Sequence, residues 1–264
     1  MSIFTFVHDS ALHVAQESSL LTDFEIIFKS THLHCHKAIV FQFFNRIAST
    51  TQQQYIIPED EVEGSIGDLL SIIQSFYGCP LSLSEKNSVE VYELARHFKF
   101  TDLAMSARLV LKEFSPTTFQ IPTSTLLTNL AADNFTDFVV QYHDQAFNTH
   151  RFLLATVIPY FNQLFADDPS TTFLDLSQHL TIDSKSLVLF FQSVYAVELS
   201  ITLENVVDLF SIASFFNLNE LRNHCCNLLQ SSSPSVNWIC GSITNADLDS
   251  QILELLASKL VKLG

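Results

Sequence analysis

The densest group of metal-ligating and nucleophilic side chains in the chain is His32-Leu33-His34-Cys35-His36. Strand side chains alternate between two faces, so His34 and His36 at i, i+2 would share one face as imidazole ligands, with Cys35 opposite. A structural zinc needs four convergent ligands, and a matching stretch later in the chain keeps only His150, so no metal centre is expected. Asn223-His224-Cys225-Cys226 offers thiols, but Cys225 lies on an apolar i, i+4 seam, which favours a buried, unreactive cysteine. The carboxylates Asp167-Asp168 and Glu59-Asp60-Glu61 sit in turn-like contexts with no histidine or basic partner in the pattern, which is solvated loop charge, not an acid/base pair. With only Gly64, Gly67, Gly78, Gly241 and Gly264, there is no glycine-rich loop to cradle phosphate, and no nucleophile elbow, Walker sequence or HExxH is present. The expected catalytic residues, cofactors and metal ligands are therefore none, and function is expected in binding surfaces.

The elements that must carry such surfaces occur twice. Thr22-Asp23-Phe24 with Ile26, Phe28 and His36-Lys37 recurs as Thr136-Asp137-Phe138 with Val140, Tyr142 and His150-Arg151, an offset of 114 (137 − 23). The offset becomes 117 (162 − 45) at Phe44-Asn45 and Phe161-Asn162, so the first copy is three residues shorter between its histidine and its Phe-Asn pair. It becomes 118 (195 − 77) at Tyr77 and Tyr195. A period above about 100 residues indicates duplicated globular domains, not a solenoid. Alternation predicts half-buried strands at Phe24–Phe28 and Phe138–Tyr142, and a third strand is expected at Tyr55–Ile57 and Phe173–Leu176. Amphipathic helices follow at matching positions: Leu69, Ile72, Ile73, Phe76 with Leu187, Phe190, Phe191, Val194, then Val91, Leu94, Ala95, Phe98 with Leu209, Ile212, Ala213, Phe216. A third seam sets Leu103, Ala107 and Leu111 against Leu221, Cys225 and Leu229. Each copy opens with a helix, Asp9–Leu20 or Thr123–Ala132. The expected boundaries are 1–115 and 123–231 for two α/β (α+β) domains, a linker at 116–122 and a helical tail at 232–264. The tail opens on Thr244-x-x-Asp247, a capping-box pattern ahead of Leu248, Ile252, Leu255, Leu256 and Leu263.

Bulk properties narrow the partners. A length of 264 residues, 47% hydrophobic and only 5 glycines and 7 prolines, suits two domains that each bury a core. Thirteen basic against 28 acidic residues give a net charge of −15, which opposes nucleic acid and anionic membrane surfaces. The opening MSIFTFVHDS lacks the basic start and long apolar run of a signal peptide, and no run of about 18 apolar residues spans a bilayer. An odd count of 5 cysteines without CxxC spacing fits reduced thiols, so the expected address is cytoplasmic, or nuclear.

The distributed pattern resembles the BTB/POZ domain, over roughly residues 22–112 and 136–230. The resemblance rests on His150–Phe165 (HRFLLATVIPYFNQLF), Gln192–Ile201 (QSVYAVELSI) and Glu204–Cys225 in the second copy. In the first it rests on His36–Ala48 (HKAIVFQFFNRIA), Tyr77–Leu83 and Asn87–Leu103. It implies a non-enzymatic protein-interaction module that commonly dimerises, and in many members an adaptor that recruits a cullin scaffold of a ubiquitin ligase. Cullin-binding members tend to carry an apolar-x-Glu element after the Phe-Asn helix, where this chain has Ser49-Thr50-Thr51-Gln52 and Ala166-Asp167-Asp168-Pro169. No kelch or zinc-finger substrate reader is recognisable, so an interaction scaffold ranks ahead of the adaptor.

Domains of this family pair through their first helices and an extended N-terminal segment. The corresponding segments are Ile3–Val7 and Phe119–Ile121, each resembling a strand in need of an edge. Two copies joined by about eight residues are at near-millimolar effective concentration, which favours pairing within the chain. The candidate interface is therefore Leu12, Leu126, Leu127, Leu130, Phe119 and Ile121, in an intramolecular pseudo-dimer with protein partners. Because the net charge is −15, micromolar binding to duplex DNA at physiological salt should be absent in a fluorescence-anisotropy titration.

Overall fold

The computed structural model describes residues 1–5, 12, 21–48, 50–58, 60–132, 135–195 and 198–232, with isolated residues 239, 242, 250, 253, 254 and 256–258 beyond. The chain divides into two compact units that do not follow the sequence copies. Unit 1 is Met1–Phe6 with Thr136–Gly264, and unit 2 is Val7–Phe135.

Unit 2 is built on a three-stranded sheet in the order β3-β2-β4, from β2 (Phe24–Phe28), β3 (Thr31–Cys35) and β4 (Gln54–Ile56). The alternation of Phe24, Ile26 and Phe28 turns those three side chains inward, and β2 and β3 pair antiparallel from Phe24↔Cys35 to Phe28↔Thr31. Lys29 and Ser30, both with left-handed φ (49° and 59°), make the two-residue hairpin turn whose twist matches the strands. β4 joins β2 in parallel, Ile26↔Tyr55. The helices are α1 (Lys37–Phe43), α2 (Ile66–Phe76), α3 (Ser88–His97), α4 (Thr101–Glu113) and α5 (Thr123–Ala132). Ser65 caps α2 by accepting from the Asp68 amide at 3.0 Å. The unit is completed by a two-stranded sheet of β5 (Leu81–Leu83) and β6 (Thr117–Phe119). The stretch 116–122, expected as a linker, thus contains a strand, because its Thr-Thr-Phe backbone finds the open edge of β5.

Unit 1 has the same plan. β7 (Phe138–Tyr142), β8 (Gln145–Thr149) and β9 (Phe173–Asp175) form a sheet in the order β8-β7-β9, antiparallel and then parallel as in unit 2. Its helices are α6 (Arg151–Val157), α7 (Pro159–Asp167), α8 (Ser184–Val194), α9 (Val206–Phe215) and α10 (Asn219–Ser231). The strand β10 (Leu199–Ile201) pairs with β1 (Ser2–Phe4). The three residues missing from the first copy have a visible effect: where unit 1 starts α7 at Pro159, with proline at a helix's first position, unit 2 has only a turn at 45–48 after Phe44. The expected helix Asp9–Leu20 lies outside the described residues apart from Leu12, which is buried. The tail pattern from Thr244 to Leu263 lies outside them as well, except Leu256, which is buried.

The three seams form the cores. Leu69, Ile73, Leu94 and Phe98 in unit 2 and Leu187, Phe191, Ile212 and Phe216 in unit 1 are all buried, as are Leu103 and Ala107 with Leu221 and Cys225. Leu111, placed on the third seam, is only half-buried, whereas its neighbour Val110 is buried. Phe44 stacks on Phe98 with centroids 3.7 Å apart, Phe161 lies tilted by 30° against Phe216 at 5.2 Å, and Phe190 lies nearly parallel to Phe216 with centroids 5.5 Å apart. Among the described residues no helix is long and apolar enough to cross a membrane. Phe216→Ala removes a fully buried ring from this stack and should cost about 3–5 kcal/mol in denaturant unfolding; a midpoint within error of the parent would mean that this face is not core.

Candidate functional site

The residues that looked most chemical are separated by the fold. On β3, His32 and His34 point outward and both lean on Glu25, with Nδ1 to Oε1 distances of 2.9 and 3.8 Å. Cys35 faces inward, where burial first, then the negative charges of Asp23 and Glu25, push its thiol far above the ordinary cysteine range. Cys225 is likewise buried in α10, its pKa pushed up to about 12 by burial first and then by Cys226. Such thiols are poor nucleophiles. Asp168 accepts from the Ser170 amide (3.0 Å) and from the Ser170 and Thr171 hydroxyls (both 2.6 Å), which holds its pKa below the carboxylate norm as part of a turn. No group of three or more His, Cys, Asp or Glu could hold a metal ion among the described residues.

His36 instead belongs to a device present in both units. Its backbone N–H donates to the Tyr77 hydroxyl at 3.0 Å, and its Nδ1 lies 2.9 Å from the same oxygen. In unit 1 the His150 N–H reaches Tyr195 at 3.3 Å and Nδ1 at 2.9 Å. Both contacts are satisfied when the phenol accepts from the amide and donates its own proton to Nδ1. The next residue is fixed too, since Asp23 Oδ1 accepts from the Lys37 amide (2.7 Å) and Asp137 Oδ1 from the Arg151 amide (2.8 Å). These contacts hold the first turn of α1 and α6, whose own N-caps, His36 and His150, make no side-chain cap bond. Burial, with the Cys35 thiol next, raises Tyr77 well above the ordinary phenol value, so the O–H needed here persists. Burial likewise raises Asp137, with the Arg151 amide opposing.

The parts suited to binding another chain are strand edges. A three-residue strand leaves its backbone N–H and C=O groups open unless a neighbour pairs with them. In each unit an asparagine holds the end of the receiving strand. Asn87 Oδ1 accepts from the Ser84 amide and Asn87 Nδ2 donates to Ser82 O, both at 2.9 Å, while Asn205 does the same with Thr202 (2.8 Å) and Ser200 (2.9 Å). β10 then receives β1 in the register Ser2↔Ile201, Ile3↔Ser200, Phe4↔Leu199. Phe4 is buried, with its ring edge-on to His224 at 5.5 Å, and Ser2 Oγ lies 3.4 Å from His224 Nδ1. β5 receives β6 in the register Leu81↔Phe119, Ser82↔Thr118, Leu83↔Thr117, with Phe119 edge-on to Phe100 at 5.6 Å. Gln120 Nε2 donates to Gly78 O at 3.2 Å, and a Cβ on Gly78, where φ is +91°, would come within 3.3 Å of Thr123 Oγ1 at the start of α5.

Of the candidate interface residues, Leu126, Leu127 and Leu130 are buried along α5, which packs beside α1 within unit 2. Ile121 and Leu12 are buried and Phe119 is half-buried. Sequence reasoning placed Asn87 and Asn205 within the family resemblance but gave them no role, although their identical offset from the strands was visible. It also missed a cluster in unit 2 of Arg46, Tyr55, Glu61 and His97, whose counterparts in the second copy are Gln163, Leu174, His179 and Phe215.

Comparison with known proteins finds a family for part of the second half of the chain. The family model described as the BTB/POZ domain matches residues 127–233, so this stretch is one BTB/POZ domain. Kelch-like protein 3 of Pongo abelii is 32% identical over 103 residues, 39% of this chain and 18% of that protein. Kelch-like protein 41a of Danio rerio is 26% identical over 129 residues, 48% of this chain and 21% of that protein. The match thus spans about a fifth of the length of these curated relatives. The solved BTB domain of zebrafish PATZ1 aligns with 44% of this chain and 99% of its own at 20% identity and a TM-score of 0.37.

The His–Tyr pair yields a direct test. Tyr195→Phe leaves the buried His150 amide and Nδ1 without this hydroxyl and should cost about 1–3 kcal/mol in urea unfolding, and Tyr77→Phe a similar amount. Parental stability in both variants would show that these contacts contribute nothing.

Proposed function

We propose that the protein is a non-catalytic protein–protein interaction scaffold in which the first half of the chain is a second BTB-like domain and the two domains pair within one molecule. The observation that carries this reading is that the edges of β5 and β10 are each occupied by a strand from outside their own sequence copy, β6 on one and β1 on the other. Both halves also repeat the Asp–amide, His–Tyr and Asn–strand contacts at equivalent positions. A chain that fills both edges itself has no need of a second copy, so its working surfaces are free for other proteins. The cytosol or nucleus, as a reducing compartment, suits the buried thiols Cys35 and Cys225.

The second reading, a substrate adaptor of a cullin-RING ligase, draws on the similarity of residues within the second half to Kelch-like proteins. It is secondary because neither copy has the apolar-x-Glu element after its Phe-Asn pair. Light scattering of the purified chain should give a monomer near 29.8 kDa across micromolar concentrations, and a stable species of twice that mass overturns pairing within the chain. A pulldown with the cullin scaffold separates the two functions: the scaffold reading expects no stoichiometric capture, and capture would establish the adaptor in its place.

A further inference from the structure

The place where the two copies diverge most in chemistry is a polar cluster in unit 2. His97, at the end of α3, has its side chain almost wholly buried between groups from three other segments. Arg46, in the turn after α1, places Nη1 3.0 Å from His97 Nδ1. Tyr55 on β4 places its hydroxyl 3.0 Å from Nε2. A guanidinium can only donate, so Nδ1 is the acceptor, the ring is neutral, and Nε2–H donates to the phenol. Glu61, in the loop after β4, accepts from Arg46 Nη2 at 3.0 Å and lies 3.8 Å from His97 Nδ1. Glu93 and Arg96, paired with one another on α3, line the same opening. In unit 1 the equivalent of His97 is Phe215, that of Arg46 is Gln163 and, from the register of β9 on β7, that of Tyr55 is Leu174.

We propose that the Arg46–His97–Tyr55 chain is a proton-operated latch that ties β4 and the loop after it to α3 in unit 2, and that unit 1 has no such latch. A proton on His97 Nδ1 removes the acceptor of Arg46 and sets two cations against each other. The new N–H faces Glu61, which must then divide itself between the ring and the guanidinium. Among the described residues β4 is an edge strand paired only with β2, so loss of this tie loosens it and the loop carrying Glu61. Burial first and then Arg46 lower the His97 pKa below the ordinary histidine value, with Glu61 opposing. A lowered histidine pKa means that the fold favours the neutral ring. The latch is therefore complete above the ordinary histidine pKa of about 6.5 and weakens as pH falls below it, the opening constant rising at most about tenfold per pH unit. His32 and His34 in the same unit face Glu25 on the opposite side of the sheet, where protonation strengthens contacts, so they do not mimic the effect. The His36–Tyr77 and His150–Tyr195 pairs occur in both units and cancel in a comparison.

The test is amide hydrogen exchange on the whole chain at about pH 7.5, 6.5 and 5.5, corrected for intrinsic exchange. The opening constant of residues 54–58 and 60–62 should rise severalfold, up to about fivefold, between the last two values, while that of 173–180 changes less than about twofold. The pair Arg46→Gln and His97→Phe, which installs the side chains of unit 1, should abolish the difference. Equal responses in the two segments, or a response that survives in the double variant, overturns the latch. Should the double variant not fold, the parent chain still decides, because a His97 ring that titrates by NMR at or above the ordinary histidine value contradicts the proposal and one that titrates below it supports it.

Discussion

The structure depends on the need to pair two short strand edges. β5 and β10 are three residues long, each held at its end by an asparagine, and neither has a partner within its own sequence copy. Unpaired backbone groups at such an edge are costly when buried and a template for foreign strands when exposed. The chain resolves this by sending Ser2–Phe4 to β10 and Thr117–Phe119 to β5. The division into Met1–Phe6 plus Thr136–Gly264 on one side and Val7–Phe135 on the other follows from that pairing. Unit 1 is therefore not a contiguous segment, and the stretch matching the BTB/POZ model, 127–233, begins inside α5, a helix of unit 2.

The two copies share a skeleton and differ in the side chains hung on it. The shared part is polar and local: an aspartate holding the first amide of a helix, a histidine answered by a tyrosine three or four dozen residues later, and an asparagine closing a strand. The histidine–tyrosine pairs are buried or nearly so, where an unmatched partner is expensive, so they tolerate little change, whereas the aspartates are exposed over part of their surface and the asparagines half-buried. What differs lies at the surface around β4 and β9. There one copy builds an ion-paired cluster about His97 and the other an aromatic group, in which Phe215 meets Tyr160 and His179 with centroids 5.2 and 5.6 Å apart.

Much of this was legible in the sequence for physical reasons. Period-two alternation placed β2 and β7 within their observed bounds, and the i, i+3, i+4, i+7 seams located the core helices because burial demands that spacing. Thr123–Ala132 was read with its observed ends. The third strand was less well bounded, since β4 and β9 are only three residues long and one residue too few to establish a period. The destination of β6 was illegible in Ser115–Pro122, because which edge a strand pairs with is a tertiary choice and prolines on either side suggest only a linker. The missing α7 equivalent was visible as a three-residue gap but not as the loss of a helix. The His97 cluster is not legible in the sequence because its residues converge from separate segments and do not recur in the second copy.

The central claim is that the chain fills its own strand edge at β10. Ile3 and Ser200 are directly opposed antiparallel partners, and such pairs lie about 4.5–5.5 Å apart at Cα, within the range a disulfide bridges. The measurement is mild oxidation of an Ile3→Cys, Ser200→Cys chain, followed by non-reducing mass analysis and peptide mapping. The account predicts a peptide containing residue 3 joined to one containing residue 200 in a species that retains the mass of a single chain. Covalent dimers joined through the same two positions, or no bridge between them, would contradict it.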